Sequence, residues 1–237
     1  MANPANVLAT IIASLHDERR RVTIPGFYDD VTTLSDEQRR NLASYGISDA
    51  DLLAATGSSA PYGEEGFSTA ERCGVRPTLD VNGMVSGFTG EGSATIIPAS
   101  AMAKVSMRLV AHQKPDKISA AFDEAVRQVA PPAVRLTIVT RSTCEAYLCP
   151  PDSPGMQMAR RALAEGFGRE PVLTHEGGTL PILPLFKRAL GADSLLMGFA
   201  MPNCNLHSPN EFFHVRDFEL GVRSILRFLE IAGHSVR

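Results

Sequence analysis

The chain has 237 residues, 44% of them hydrophobic and 21% charged, with a formal net charge of -3. That balance, with no basic stripe interleaved with aromatics, argues against nucleic acid as a partner, and no apolar run reaches the ~20 residues of a membrane span. Four cysteines (Cys73, Cys144, Cys149 and Cys204) lack Cys-x-x-Cys spacing, so they read as reduced thiols of a cytoplasmic protein, not a zinc knuckle or a disulfide framework.

Asn3 before Pro4 is a capping residue followed by a first-turn proline, and Val7, Leu8, Ile11, Ile12 and Leu15 then share one face, which predicts a helix over 4–16. The stretch 17–75 mixes charged and small residues with Pro25-Gly26 and Pro61-Tyr62-Gly63. It reads as an irregular excursion holding short helices near 35–45 and 48–56. From Thr78 the period becomes that of strands: 78–81, a glycine-rich turn through Gly90 and Gly92, then Thr95-Ile96-Ile97-Pro98 leading into 101–110. There Ala103, Val105, Met107 and Leu109 alternate with Lys104, Ser106 and Arg108, so Arg108 points away from the core. A helix over 115–129 and a β-branched strand over 134–140 complete a small antiparallel sheet covered on one face by helices. Beyond the boundary at Pro150-Pro151 the expectation is helix 156–167, strand 172–174, helix 180–190, strand 194–198 and a closing helix over 215–232.

Two loops hold candidate chemistry. His207 stands among Asn205, Ser208, Pro209 and Asn210, a turn composition; it is either a surface-loop histidine or a metal-bound imidazole, and one histidine cannot hold a catalytic metal alone. In His175-Glu176-Gly177-Gly178-Thr179, Thr179 is the expected N-cap of the next helix, with Pro181 in its first turn. Free backbone N–H groups there suit an anion, and Gly178 lets a ligand approach the main chain; the other reading is an ordinary strand-to-helix turn. Glu176 either hydrogen-bonds a residue that holds the ligand or is simply solvated. Arg108 can clamp a carboxylate or pair on the sheet surface, and Thr95 offers a hydroxyl or is structural.

Taken in order, Ile24-Pro25-Gly26-Phe27-Tyr28-Asp29-Asp30-Val31, Gly92 to Pro98, Ser106 to Val110, Glu176 to Thr179 and Asn205 to Glu211 resemble the C-terminal half of a peptidase family. It is the dinuclear-zinc family that includes carnosinase, aminoacylase, glutamate carboxypeptidase and succinyl-diaminopimelate desuccinylase, and the match is nearest to carnosinase-like dipeptidases. The resemblance implies an α/β fold with an α+β lid, an antiparallel sheet with helices on one face inserted in an α/β zinc-peptidase catalytic domain, of which only the C-terminal part is present. Residues 1–148 would be the lid, or dimerisation, domain and 149–237 the catalytic segment. His207 would be a metal ligand, Arg108 and Thr179 would hold the substrate's C-terminal carboxylate, and Thr95 would reach the partner subunit's active site. Gly178 would let the substrate approach the main chain, and His175, which either contacts the substrate or is an exposed loop histidine, stands where carnosinase-like members usually have arginine. The implied activity is metal-dependent hydrolysis of dipeptides by a homodimer with two zinc ions per site, manganese being the other candidate. The general base and remaining ligands would lie upstream of the chain, leaving it inactive alone; Cys204, close to His207, either touches the metal or is a bystander thiol. The alternatives are an aminoacylase-type amidohydrolase acting on N-acyl amino acids and a non-catalytic dimerisation or ligand-binding module.

Overall fold

A computed structural model describes residues 1–45, 47–178, 180–201 and 203–235. The chain divides into two compact units, Met1–Ala146 with His175–Thr179, and Tyr147–Thr174 with Leu180–Arg237.

The first unit is built around a two-stranded antiparallel sheet. Helix α1 (Pro4–Ser14) starts as its sequence dictates, with the Asn3 side chain accepting from the Ala5 N–H at 2.9 Å and Pro4 in the first turn. Ile11 on α1 and Leu15 just after it, both 5% exposed or less, face a core shared with Val22, Ile24, Phe27, Leu79, Ile118 and Val126. Each such side chain contributes about 1.5–3 kcal/mol through burial. Strands β1 (Thr78–Ser86) and β2 (Ala101–Arg108) pair from Thr78 opposite Arg108 to Ser86 opposite Ala101, and the register shifts between Val81 and Gly83. That bulge leaves Asn82 as the extra residue and adds local twist. Along β2 the half-buried Ala103, Val105 and Met107 alternate with exposed Lys104, Ser106 and Arg108. Val105 and Met107 pack on the core beneath α1 and helix α5 (Pro115–Val129), so the helices cover one face of the sheet, as expected.

Among its described residues the excursion holds three helices: α2 (Asp36–Tyr45), α3 (Asp49–Thr56) and α4 (Thr69–Gly74). The first two lie where composition put them. The third was not anticipated, although Ser68 and Glu71 form the reciprocal capping box that its sequence spells. An ion-pair cluster anchors it. Glu64, its side chain 7% exposed, accepts from Arg76 Nε at 2.8 Å and Nη2 at 2.7 Å. The Arg76 guanidinium lies between the Tyr28 and Phe67 rings, 4.7 and 4.1 Å from their centroids.

In the second unit α6 (Pro154–Phe167) packs against α8 (Val215–Ser235), with Gly166 giving room for the buried Ser224 and an Arg227–Glu165 ion pair at the same contact. Helix α7 is Ile182–Leu190. The three strands expected at 134–140, 172–174 and 194–198 are not assembled into ladders. Residues 134–139 keep the alternating burial of a strand, with Leu136 and Ile138 on the first core. Residues 194–199 lie along α6, with Leu195 near Gly155 and Phe199 stacked on Phe167 at 6.2 Å. Both segments carry strand periodicity without a ladder partner among the described residues, and a strand exists only as part of a ladder.

Candidate active-site elements

Arg108 ends β2 on the exposed side of the ladder, as its place in the alternation requires. The turn behind it is fixed by Gln113, which is 2% exposed. Its Oε1 accepts from the Val110 N–H at 2.8 Å and its Nε2 donates to the Phe27 carbonyl at 2.7 Å. One buried amide therefore ties the Pro25-Gly26-Phe27 segment to the end of the strand that carries Arg108, and it satisfies two backbone groups that would otherwise be stranded. Thr95 lies in the exposed connection between β1 and β2, ahead of the opposite end of β2. At strand spacing the ladder alone sets Ala101 and Arg108 roughly 24 Å apart.

The loop with the glycine pair rests against α4. A Cβ placed on Gly74 would lie 2.5 Å from the His175 carbonyl oxygen, and one placed on Gly177 would lie 2.8 Å from the Cys73 carbonyl oxygen. Burial on that side pushes the His175 imidazole below its ordinary range. The neighbouring Cys73 thiol is pushed up by burial and then by the Glu176 carboxylate, while Arg72 pulls it slightly down. Thr179 lies outside the described residues. The helix after it begins at Ile182, with Pro181 at the N-cap position and no side-chain cap, so the expected Thr179 cap is corrected. A helix start two residues further along the chain sets the free N–H groups of α7 beyond the glycine pair.

His207 is exposed and has φ 61°, flanked by Asn205 at φ 53° and Asn210 at φ 61°. The left-handed region costs a residue with a Cβ about 1–2 kcal/mol, a strain that tight loops hold where a side chain must be aimed. Fully buried Cys204 anchors the loop: its carbonyl accepts from the Phe212 N–H at 3.1 Å, and the Asn205 carbonyl accepts from the Ser208 N–H at 3.0 Å. Among the described residues no group of three His, Cys, Asp or Glu could hold a metal ion, so His207 offers one imidazole, which does not make a metal site. Arg108, Thr95, His175 and Gly178 belong to the first unit and His207 to the second.

Two features escaped the reading of the sequence. Gln113 precedes a Lys-Pro helix start and looks like any polar turn residue; nothing local announces that both ends of its amide are used. The seat at Cys73-Gly74 depends on contacts between segments a hundred residues apart, and its one local signal is the capping box at Ser68 and Glu71. No helix among the described residues is long and apolar enough to cross a membrane.

The chain is 28% identical over 240 residues to the Cys-Gly metallodipeptidase DUG1 of Candida albicans, covering 98% of this chain and 49% of that protein. It is 25% identical over 240 residues to human β-Ala-His dipeptidase, covering 97% of this chain and 46% of that protein. Among solved structures, the M20 family metallo-carboxypeptidase Sso-CP2 of Sulfolobus solfataricus is similar with a TM-score of 0.82 at 31% identity, covering 97% of this chain and 52% of that one. Human carnosine dipeptidase 1 shares the fold with a TM-score of 0.76 at 21% identity, covering 96% of this chain and 49% of that one. The chain thus spans about half the length of the curated relatives it matches. The peptidase dimerisation domain model matches residues 1–134, and the chain belongs to the M20 peptidase dimerisation domain family.

Proposed function

We propose that the chain serves a metallodipeptidase as its lid and dimerisation domain, residues 1–148, joined to a C-terminal catalytic segment, residues 149–237. The observation that carries this reading is the dimerisation-domain match over residues 1–134, within relatives named as dipeptidases that align along nearly the whole chain. The substrate is a dipeptide with a free C-terminal carboxylate, of the Cys-Gly or β-Ala-His kind that those relatives are named for.

In this reading the Arg108 guanidinium clamps the carboxylate from the open side of β2, and the main chain at Gly178 with the Thr179 hydroxyl completes its hydrogen bonding. His175 stands beside the same loop as a neutral imidazole that selects the substrate. The ~24 Å that β2 sets between its ends favours separate sites for Arg108 and Thr95, with Thr95 reaching the partner subunit's site in a homodimer. His207 contributes one ligand to a pair of metals, zinc or manganese, whose other ligands and general base come from outside this chain. The location is cytoplasmic.

The test is a pair of assays on purified protein. The chain alone should show no metal-dependent dipeptide cleavage, whereas a form carrying the remaining ligands should cleave dipeptides and prefer them to N-acyl amino acids. Arg108→Lys in that form should raise KM at least tenfold, because a single ammonium cannot make the bidentate contact. Preference for N-acyl amino acids would move the assignment to an aminoacylase. No hydrolysis by any form, with intact dimerisation, would leave a non-catalytic module.

A further inference from the structure

We propose that the C-terminal end of α4 is the seat of the Glu176-Gly177-Gly178 loop, with Gly74 and Gly177 as positioning residues for the substrate carboxylate. The inference rests on the reading above, in which that loop meets the carboxylate.

The contact is made from both sides. A side chain on Gly74 would meet the His175 carbonyl oxygen at 2.5 Å and the His175 Cβ at 3.0 Å; one on Gly177 would meet the Cys73 carbonyl oxygen at 2.8 Å. The obstructing oxygens are backbone atoms, so no rotamer change relieves the overlap, and only a shift of the loop or of α4 would do so. The two partners differ in how firmly they are held. Helix α4 is capped by Ser68 and Glu71, the Arg39 guanidinium lies 3.2 Å from the buried Glu71 carboxylate, and Arg72 Nε donates to the Glu64 carbonyl at 2.9 Å. One turn on, Arg76 is locked to Glu64 by two hydrogen bonds. Residues 171–178 have no helix or strand of their own. The loop therefore packs on a firmly held α4, and a Cβ at either glycine is expected to move the loop more than the helix. The same seat accounts for 175–179 belonging to the first unit while the chain on both sides of it belongs to the second. It also gives Gly177 a different task from Gly178, where a Cβ meets no atom within 4 Å.

The first measurement uses the unmodified chain. Nuclear Overhauser contacts are expected between the Gly74 Cα protons and His175, and between the Gly177 Cα protons and Cys73; their absence overturns the seat. In G74A and G177A the amide shifts of 175–178 should move, while those of β2 and α5 stay as they are. G198A, at a position where a Cβ meets no atom within 4 Å, should leave both sets in place. Unmoved 175–178 shifts in both seat variants would overturn the proposal. In a form that carries the remaining ligands, G74A should raise KM for a free-carboxylate dipeptide at least fivefold with kcat within twofold. It should also lower the preference for that dipeptide over its C-terminal amide by a similar factor. A general loss of stability would not move that preference. An unchanged preference, with the loop displaced, removes the carboxylate role and leaves the seat as architecture. Absence of hydrolysis in the unmodified form sinks the dipeptidase reading, and the carboxylate role with it, while the shift data still decide the contact.

Discussion

Glu64 and Arg76 show how a charge is kept inside a small unit. Their side chains are 7% and 12% exposed, the carboxylate takes two hydrogen bonds from one guanidinium, and Arg21 stands 3.6 Å away on the open side. Removing Arg76 leaves the desolvated Glu64 carboxylate with only Arg21, 3.6 Å away, so the loss falls toward the low end of the roughly 3–5 kcal/mol typical of a broken buried pair, whereas replacing both partners with uncharged groups of similar volume costs much less. R76M should therefore lower stability by up to about 3 kcal/mol in urea unfolding, and the E64Q/R76M double variant should recover most of that loss. Equal losses in the single and double variants would mean that the Tyr28 and Phe67 rings, and not the charges, hold Arg76. His175 carries a second consequence at this scale. Its imidazole sits below the ordinary value of 6.5 because burial disfavours the charged form. The undocked loop then takes up the proton first, so docking has full strength above about pH 6.5, weakens as pH falls through that value, and levels off below the lower docked value. The 175–178 amide shifts should drift toward undocked positions between pH 7.5 and 5.5, and in H175Q they should stay flat.

At the scale of elements, what the sequence made legible is what is local. Helices α1 and α5 declare themselves through apolar spacing along one face, α1 also through Asn3-Pro4 at its start, and both form within two residues of expectation; α6 does so too, although its start at Ser153-Pro154 lies two residues ahead of the expected one. The period-2 run of β2 fixed the outward direction of Arg108 for the same reason. The strands at 134–140, 172–174 and 194–198 had the right composition, but a ladder needs a neighbour, and the neighbour is not encoded in the segment that needs it. Helix α4 was missed for the opposite reason: at six residues it is too short to show periodicity, and its capping box is the whole of its signal. The candidate site followed the same division, with Arg108 and the turn around His207 readable locally, and the seat of the 175–178 loop resting on a contact between distant segments. Because α4 is short, its cap matters in proportion. S68A removes the oxygen that accepts from the Glu71 N–H at 3.3 Å and should cost about 1 kcal/mol. Fraying of α4 should reach the loop it seats, so S68A is expected to shift the 175–178 amides as well as those of 69–74. Movement confined to 69–74 would mean that the loop is held by something other than α4.

For the whole molecule the telling feature is the distribution of apolar surface over the second unit. Helix α8 buries Gly221, Ser224 and Ile231, yet Val215, Phe218, Val222, Ile225 and Leu229, spaced by three or four residues, are 73%, 62%, 45%, 38% and 59% exposed. A helix with a polar outer face would show Glu, Lys and Arg at such positions, so α8 is built to be covered on two sides. On α7, Ile182, Leu185, Phe186 and Leu190 are exposed as well. Surface of this kind, on a chain that spans about half the length of its curated relatives, belongs against further protein, and left open it drives association. The purified chain should therefore bind a hydrophobic dye and self-associate with increasing concentration in sedimentation velocity. The variant F218E/L229K should reduce both, while circular dichroism keeps the helix content, because both side chains are largely exposed. The first unit supplies the control. If self-association runs through its sheet, as a dimerisation domain would have it, it should stop at a dimer and survive F218E/L229K. Open-ended association that the double variant abolishes marks the α8 face as the sticky surface. A monomer in both forms would mean that neither surface is sufficient for association on its own.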